Sequence, residues 1–107
     1  MERGLIVVAA APGDYGKPRP MLVVQSGLSE ESASVIVCPI TSELRDVPHL
    51  RLTLEPSPLN GLQVRSQIML DKITTLHTRR IGRAIGRVDA EELADATRIL
   101  AVLLGIA

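Results

Sequence analysis

Short apolar segments separated by turns rich in proline and glycine are the feature that most constrains the fold of this chain. Residues 5–11 are apolar, contain several β-branched side chains and stop at a Pro-Gly pair, and residues 21–25 and 34–40 have a similar character. Segments this short favour buried strands over helices. Pro39 cannot donate a hydrogen bond to a neighbouring strand, so we expect that end of the third segment at a sheet edge or a bulge.

The second half of the chain adds more strands and one helix. Three further strands are expected, at residues 51–54, 66–71 and 81–88. The last alternates imperfectly between polar and apolar residues, which predicts a bulge at one of its glycines. Asp89 and Glu92 have the spacing of a capping box, and leucines at helical spacing follow them up to Gly105.

Five or six antiparallel strands followed by one helix predict a mainly β (α+β) fold. We expect a small, strongly curved antiparallel sheet or barrel with a C-terminal helix. A length of 107 residues is enough for one core and too short for two. The sequence therefore predicts a single domain spanning residues 1–107.

The composition requires an aliphatic core and excludes one class of function. Hydrophobic residues make up 46% of the chain, yet it has no Phe or Trp, and Tyr15 is its one aromatic residue. Proteins that bind single-stranded nucleic acid on rows of stacked aromatic rings need residues that this chain lacks.

The sequence also bears on the compartment. Cys38 is the one cysteine, so an intrachain disulfide is excluded, and its apolar neighbours predict a buried thiol in a reducing compartment. No signal peptide is visible, and the apolar stretch near the start is far too short to span a bilayer. We expect a cytoplasmic protein with no membrane partner.

A net charge of zero hides opposing patches. The chain has 12 Lys and Arg residues and 12 Asp and Glu residues. Residues 65–88 hold six basic side chains and one acidic side chain, a balance of +5, whereas residues 1–64 carry −2 and residues 89–107 carry −3. The basic segment is concentrated enough to attract a polyanion, although a solvated charged face has the same pattern.

The usual signatures of metals and cofactors are missing. Cys38, His49 and His77 lie at spacings that resemble no zinc site. The glycines form neither a phosphate-binding loop nor a dinucleotide fingerprint. We therefore expect no metal ion and no cofactor.

Small polar residues at strand ends and in the proline-rich loop are the candidates for chemistry. They are Asp14, Lys17, Arg19, Thr41, Ser42 and Asp71. Arg19 is stiffened between two prolines, which lowers the entropy lost when its guanidinium binds an anion. An acid, a guanidinium and hydroxyls would suffice for metal-free cleavage of RNA, in which the 2′-hydroxyl is the nucleophile. Salt bridging, turn formation and loop capping are the structural alternatives for these residues.

The order of the motifs resembles that of the MazF/PemK (Kid) family of toxin endoribonucleases. The motifs are Arg3-Gly4 opening a strand, Arg19-Pro20 before four apolar residues, Pro39-Ile40-Thr41-Ser42, Gly61-Leu62, residues 66–75 with Asp71, Arg80-Ile81, Ile85-Gly86 and the terminal helix. The resemblance covers nearly the whole chain. It implies an SH3-like, strongly bent sheet and a toxin that acts as a homodimer. It also implies cleavage of single-stranded or messenger RNA without a metal, and inhibition by an antitoxin protein.

The same resemblance implies roles for individual residues. Arg19 corresponds to the family's arginine, an acid or phosphate stabiliser, and Thr41 to its active-site threonine, with Ser42 beside it. Asp14 stands where many members have an acid, and Asp71 matches a carboxylate that the Kid branch uses as a base or for positioning. Either aspartate is a candidate for the general base.

Substrate binding is expected from basic residues and one ring. Met69 and Thr74 stand where the Kid branch has arginines. The candidates to supply positive charge instead are Lys17, Lys72, Arg79 and Arg80. Tyr15, beside Asp14, is the one residue among Phe, Tyr and Trp available to stack on a base.

Two other functions remain open at this stage. The CcdB-like toxins share this fold, and they poison DNA gyrase through the end of the terminal helix without being enzymes. The tryptophan that they place before a glycine is Leu104 here. A non-catalytic homologue that only binds RNA or a partner protein is the third reading.

Overall fold

The computed structural model describes residues 1–13, 16–27 and 33–107, and in these residues it contains seven strands and one α-helix. The elements are β1 (Leu5–Ala9), β2 (Arg19–Val23), β3 (Ser34–Thr41), β4 (Arg51–Leu54), β5 (Ser66–Met69), β6 (Thr74–His77), β7 (Ile81–Arg87) and α1 (Ala90–Leu103). Single turns of 3-10 helix at Leu70–Lys72 and Thr78–Arg80 precede β6 and β7. The prediction of a mainly β fold with a C-terminal helix is confirmed.

The strands form one antiparallel sheet, in the order β4-β5-β3-β2-β1-β7, and β6 also pairs with β3. The sheet is open, with β4 and β7 at the ends of this order. The sequence predicted five or six strands, and β6, which lies after the predicted strand at residues 66–71, was not among them. The 3-10 turn Leu70–Lys72 interrupts that segment, so β5 ends at Met69 instead of Asp71.

Strand β3 is the centre of the sheet, and Pro39 lies inside it. Met21 of β2 pairs with Pro39, so the first of the two predicted positions, a sheet edge, is wrong, and the second, a bulge, stays a prediction. On its other side β3 changes partner: its first part, up to Val37, pairs with β6, and its last part, from Ile40, pairs with β5. Pro39 occupies the gap between these two partners, where a missing donor is tolerated.

Helix α1 begins and ends as the sequence predicted. The Asp89 carboxylate accepts a hydrogen bond from the Glu92 backbone N–H at 2.7 Å, and the Glu92 carboxylate accepts one from the Asp89 N–H at 2.9 Å. This capping box satisfies two donors that a helix start leaves unpaired. The helix ends at Leu103, Leu104 is its C-cap residue, and Gly105 comes next.

Two clusters of buried side chains lie on the two faces of the central strands. The helix-side core joins the sheet to α1 and includes Ile6, Leu22, Cys38, Ile68 and Leu100. The opposite cluster, the inner core, includes Val7, Met21, Val23, Val37 and Leu76. Both are aliphatic apart from sulfur, as the composition requires. Because β1, β2 and β3 are buried on both faces, they read as continuous apolar runs without alternation.

Candidate active site

A cleft of about 400 Å³ opens where the ends of β2 and β3 meet the middle of β7. Its lining includes Val8, Arg19, Thr41, Leu62, Ser66 and Arg83. Two of these, Arg19 and Thr41, are among the four residues to which the sequence assigned the chemistry, the others being Asp14 and Asp71. Arg19 and Thr41 are far apart in the chain, and pairing of β2 with β3 brings them to one place.

Arg19 is the first residue of β2 and is held between Pro18 and Pro20. It pairs with Ala9 of β1, and Pro20 pairs with Val8. Its side chain is half-buried. Because proline fixes its own φ and restricts the residue before it, this backbone is stiff on both sides of the arginine.

Thr41 is the last residue of β3 and lies opposite Gln67 of β5. Its Oγ1 accepts a hydrogen bond from the backbone N–H of Glu43 at 3.0 Å. This bond orients the hydroxyl, whose own proton can still be donated to another acceptor. Ser42 follows and is exposed at the cleft.

Gln67 holds the segment that follows Thr41. Its side chain is buried, and its Oε1 accepts from the Arg45 backbone N–H and from Nη1 of Arg51, both at 3.0 Å. Its Nε2 donates to the Arg45 carbonyl at 3.0 Å and to Oγ1 of Thr53 at 3.2 Å. A buried amide with all these partners stabilises one conformation of the loop, and so supports the position of Thr41.

Residues 61–64, the cleft wall, line one part of the cleft, and the side chain of the preceding residue, Asn60, is buried. The Asn60 Oδ1 accepts from the N–H groups of Ser57 at 3.1 Å and Leu62 at 2.9 Å. Its Nδ2 donates to the carbonyl of Glu55 at 2.8 Å. One amide therefore joins three positions of the turn between β4 and β5.

Gly61 lets this wall pack on β7. Its φ is +70°, and a Cβ at this position would lie 2.1 Å from the carbonyl oxygen of Ile85. Any other residue would be strained by the backbone angle and would collide with β7. The wall and β7 therefore meet through a glycine.

The cleft is positively charged. Lys17, Arg19 and Arg83 line it, and no carboxylate does so within the described part of the chain. Basic side chains grouped in a cleft raise the local concentration of an anionic substrate. Among the described residues no cluster of three or more metal-binding side chains occurs.

Four of the predicted residues lie outside the cleft. Asp71 and Lys72 are exposed in the 3-10 turn after β5, and Arg79 and Arg80 are exposed in the turn before β7. The Arg80 Nη1 donates to the Ala10 carbonyl at 3.5 Å. Their roles in catalysis and substrate binding stay predictions.

Two further predicted residues, Asp14 and Tyr15, lie outside the described residues. From the sequence, Gly61-Leu62 was named only as a family motif, residues 63–64 were assigned no role, and Arg83 was counted only as part of a basic segment. The imperfect alternation of polar and apolar residues in β7 was the one signal for Arg83, because it predicted a bulge at a glycine.

The described residues form a small α+β protein with one curved antiparallel sheet and a C-terminal helix. Its cationic cleft holds an arginine and a threonine and is suited to binding an anion. Residues 2–104 match the model of the family described as PemK-like, MazF-like toxins of type II toxin-antitoxin systems. The chain belongs to this family.

Individual relatives agree with this. The chain is 43% identical to a probable endoribonuclease MazF of Mycolicibacterium smegmatis, over 100% of this chain and 99% of the relative. It is 31% identical to the endoribonuclease MazF9 of Mycobacterium tuberculosis, over 91% of this chain and 86% of the relative.

Solved structures share the fold. A mycobacterial endoribonuclease in complex with its cognate antitoxin has a TM-score of 0.85 at 22% identity, covering 100% of this chain and 97% of the other. MazF of Deinococcus radiodurans has a TM-score of 0.79 at 26% identity, covering 98% and 96%.

None of the helices that the structure describes is long and apolar enough to cross a membrane.

Proposed function

We propose that this toxin is an endoribonuclease and that the cleft between β2, β3 and β7 is its active site. The observation that carries the proposal is the convergence of Arg19 and Thr41, both predicted from the sequence, in one positively charged cleft. Membership of the toxin family and the endoribonuclease relatives support the activity. They do not favour the alternative that the protein is a non-enzymatic poison of DNA gyrase.

The reaction that these residues fit is attack of the ribose 2′-hydroxyl on the adjacent phosphate. A general base takes the 2′-hydroxyl proton, the 2′-oxygen bonds to phosphorus, and the bond from phosphorus to the 5′-oxygen breaks. The products are a 2′,3′-cyclic phosphate and a 5′-hydroxyl, whose oxygen receives a proton. The substrate supplies its own nucleophile, so the protein needs only proton transfer and stabilisation of charge.

In this mechanism Arg19 stabilises the charge that develops on the phosphate, and Thr41 donates a hydrogen bond to a phosphate oxygen or to the leaving oxygen. A guanidinium held by a stiff backbone and a hydroxyl oriented by the Glu43 N–H lose little freedom when RNA binds. Both are therefore suited to act in the transition state.

Asp14 and Asp71 are the candidate bases. Asp71 lies outside the cleft, which favours Asp14, five residues before Arg19 in the sequence. We propose that Asp14 takes the 2′-hydroxyl proton and that Tyr15 stacks on a base of the substrate.

Cleavage of a defined RNA in EDTA tests the activity. We expect the wild type to cut, and Arg19→Ala and Thr41→Val to lose roughly 100- to 1,000-fold in kcat, the usual effect of removing one oxyanion-stabilising donor. Arg98→Ala is the matched control, because Arg98 lies on α1 and pairs with Asp95. Unchanged cleavage by Arg19→Ala would remove the arginine from the mechanism.

The same assay separates the two aspartates. Asp14→Asn is expected to lower kcat by roughly 100- to 10,000-fold, as removal of a general base does, and Asp71→Asn to leave it within about twofold. The reverse order would assign the base to Asp71. Mapping the cut ends also reports the sequence specificity.

Further parts of the proposal concern the assembly. We propose that residues 1–107 act as one domain, that the toxin is a homodimer in the cytoplasm, and that an antitoxin protein inhibits it. The structure of a mycobacterial endoribonuclease with its cognate antitoxin supports the last point. Light scattering on the purified protein tests the dimer, and a monomeric mass would contradict it.

A further inference from the structure

We propose that Arg83 is a second phosphate-binding residue of the cleft and that it holds an RNA phosphate other than the one at Arg19. The inference rests on the endoribonuclease function proposed above and deepens it by assigning a substrate contact.

A bulge in β7 directs Arg83 to the cleft. Val7 pairs with Ala84 and Ala9 pairs with Ile81, so two residues of β7, Gly82 and Arg83, face the single residue Val8. An extra residue of this kind bends the strand and redirects a side chain. Val8 and Arg83 both line the cleft.

Gly82 is what allows the bulge to lie so close to β1. A Cβ at this position would lie 2.9 Å from the carbonyl oxygen of Val8, a contact that real Cβ atoms essentially never make. The glycine therefore allows the backbone of the bulge to lie close to β1. The next residue, Arg83, then lies at the cleft.

Arg19 and Arg83 approach the cleft from opposite sides of β1. Strand β2 pairs with one edge of β1 and β7 with the other. Two strand spacings separate the backbones of β2 and β7 by roughly 10 Å. This separation leaves room for the two guanidinium groups to bind two different phosphates of one RNA strand.

The Arg83 guanidinium is available for a ligand. The side chain is exposed, and no hydrogen bond or ion pair joins it to any residue that the structure describes. Arg45, Arg65 and Arg98 are instead paired with carboxylates. A planar guanidinium without such a partner can bind a phosphate through two parallel hydrogen bonds.

Binding of an uncleavable RNA tests the proposal. The probe is a single-stranded oligoribonucleotide with 2′-O-methyl groups, titrated by fluorescence anisotropy from roughly 50 to 200 mM salt. Arg83→Gln is expected to weaken binding on the order of 10-fold and to reduce the slope of log K against log salt by about 0.7, the value for one phosphate of a single strand. Arg83→Lys is expected to keep the slope.

Arg87→Gln is the matched control. Arg87 lies on the same strand and is also exposed, but it lines a separate depression beside Glu2 and Asp89. We expect its substitution to leave affinity and slope within experimental error of the wild type. Equal losses in both variants would indicate a general field effect and overturn the proposal.

The remaining outcomes separate this inference from the function on which it rests. If the wild type cuts RNA and Arg83→Gln binds the probe as the wild type does, only the Arg83 contact is wrong. If the wild type neither cuts nor binds RNA, the proposed function fails together with the contact. An unchanged melting temperature of Arg83→Gln shows that lost binding is not lost folding.

Discussion

The buried environment of Cys38 lowers the reactivity of its thiol. Its side chain is fully buried in the helix-side core, with 0% of its surface exposed. Burial, and secondarily the negative charge of Asp71, raise the pKa of the thiol to about 12. The thiolate is the reactive form of cysteine, so the folded protein keeps this thiol inert.

We expect alkylation of Cys38 at pH 8 to be about two to three orders of magnitude slower in the folded protein than in urea. The reason is that the raised pKa lowers the fraction of thiolate by about this factor. Mass spectrometry after timed exposure to iodoacetamide measures both rates. Equal rates in the two states would contradict the buried position.

The raised pKa also has a consequence for stability. The folded state binds the thiol proton more tightly than the unfolded state, so this contribution to stability is present below pH 9.0 and is lost as the pH rises toward about 12. Urea unfolding of Cys38→Ala should therefore show a smaller alkaline decline than the wild type.

At the scale of elements, the side chain of Asn60 makes three hydrogen bonds within the turn between β4 and β5. Asn60 is 1% exposed, and its amide satisfies two backbone N–H groups and one carbonyl of the turn. The turn carries the wall of the cleft at residues 61–64. A structural residue that touches no substrate therefore shapes the site.

Asn60→Ala is expected to lower the free energy of unfolding by about 2 to 4 kcal/mol, because it leaves buried backbone groups without partners. It should also reduce RNA cleavage at temperatures where the protein is still folded. Urea unfolding and the cleavage assay measure the two effects.

Gln63→Ala is the control for this change, since Gln63 is exposed on the same wall. Its substitution should leave the free energy of unfolding within about 0.5 kcal/mol of the wild type. Wild-type stability of Asn60→Ala would show that the turn is held in another way.

At the scale of the whole molecule, two aliphatic cores on the two faces of one curved sheet provide the burial. The helix-side core ties α1 to the sheet through Ala96 and Leu100, and the inner core fills the opposite face. With no Phe or Trp, close packing of aliphatic side chains has to supply the stability that aromatic residues often contribute.

Leu22→Ala should therefore cost about 2 to 5 kcal/mol of the free energy of unfolding, since Leu22 is 0% exposed and its loss leaves a cavity. Leu59→Ala removes the same atoms from a side chain that is 46% exposed, and a change within about 0.5 kcal/mol is expected. Urea denaturation compares the two. Similar losses would mean that Leu22 is not a core residue.

The sequence alone determined the local features. The capping box at Asp89, the glycine after the helix, the buried Cys38 and a bulge near a glycine of β7 were all predicted, because each depends on residues that are neighbours in the chain. The motifs around Arg19 and Thr41 also indicated the toxin family, which the comparisons confirmed.

Only the tertiary structure decided which residues share the cleft. It brought Arg19, Thr41 and Arg83 together, placed Asp71 elsewhere, and put Pro39 inside the central strand. These outcomes depend on which strands pair and in what register, and so on contacts between distant segments. Pairing preferences of single strands are too weak to determine such contacts, because burial in the assembled sheet dominates them.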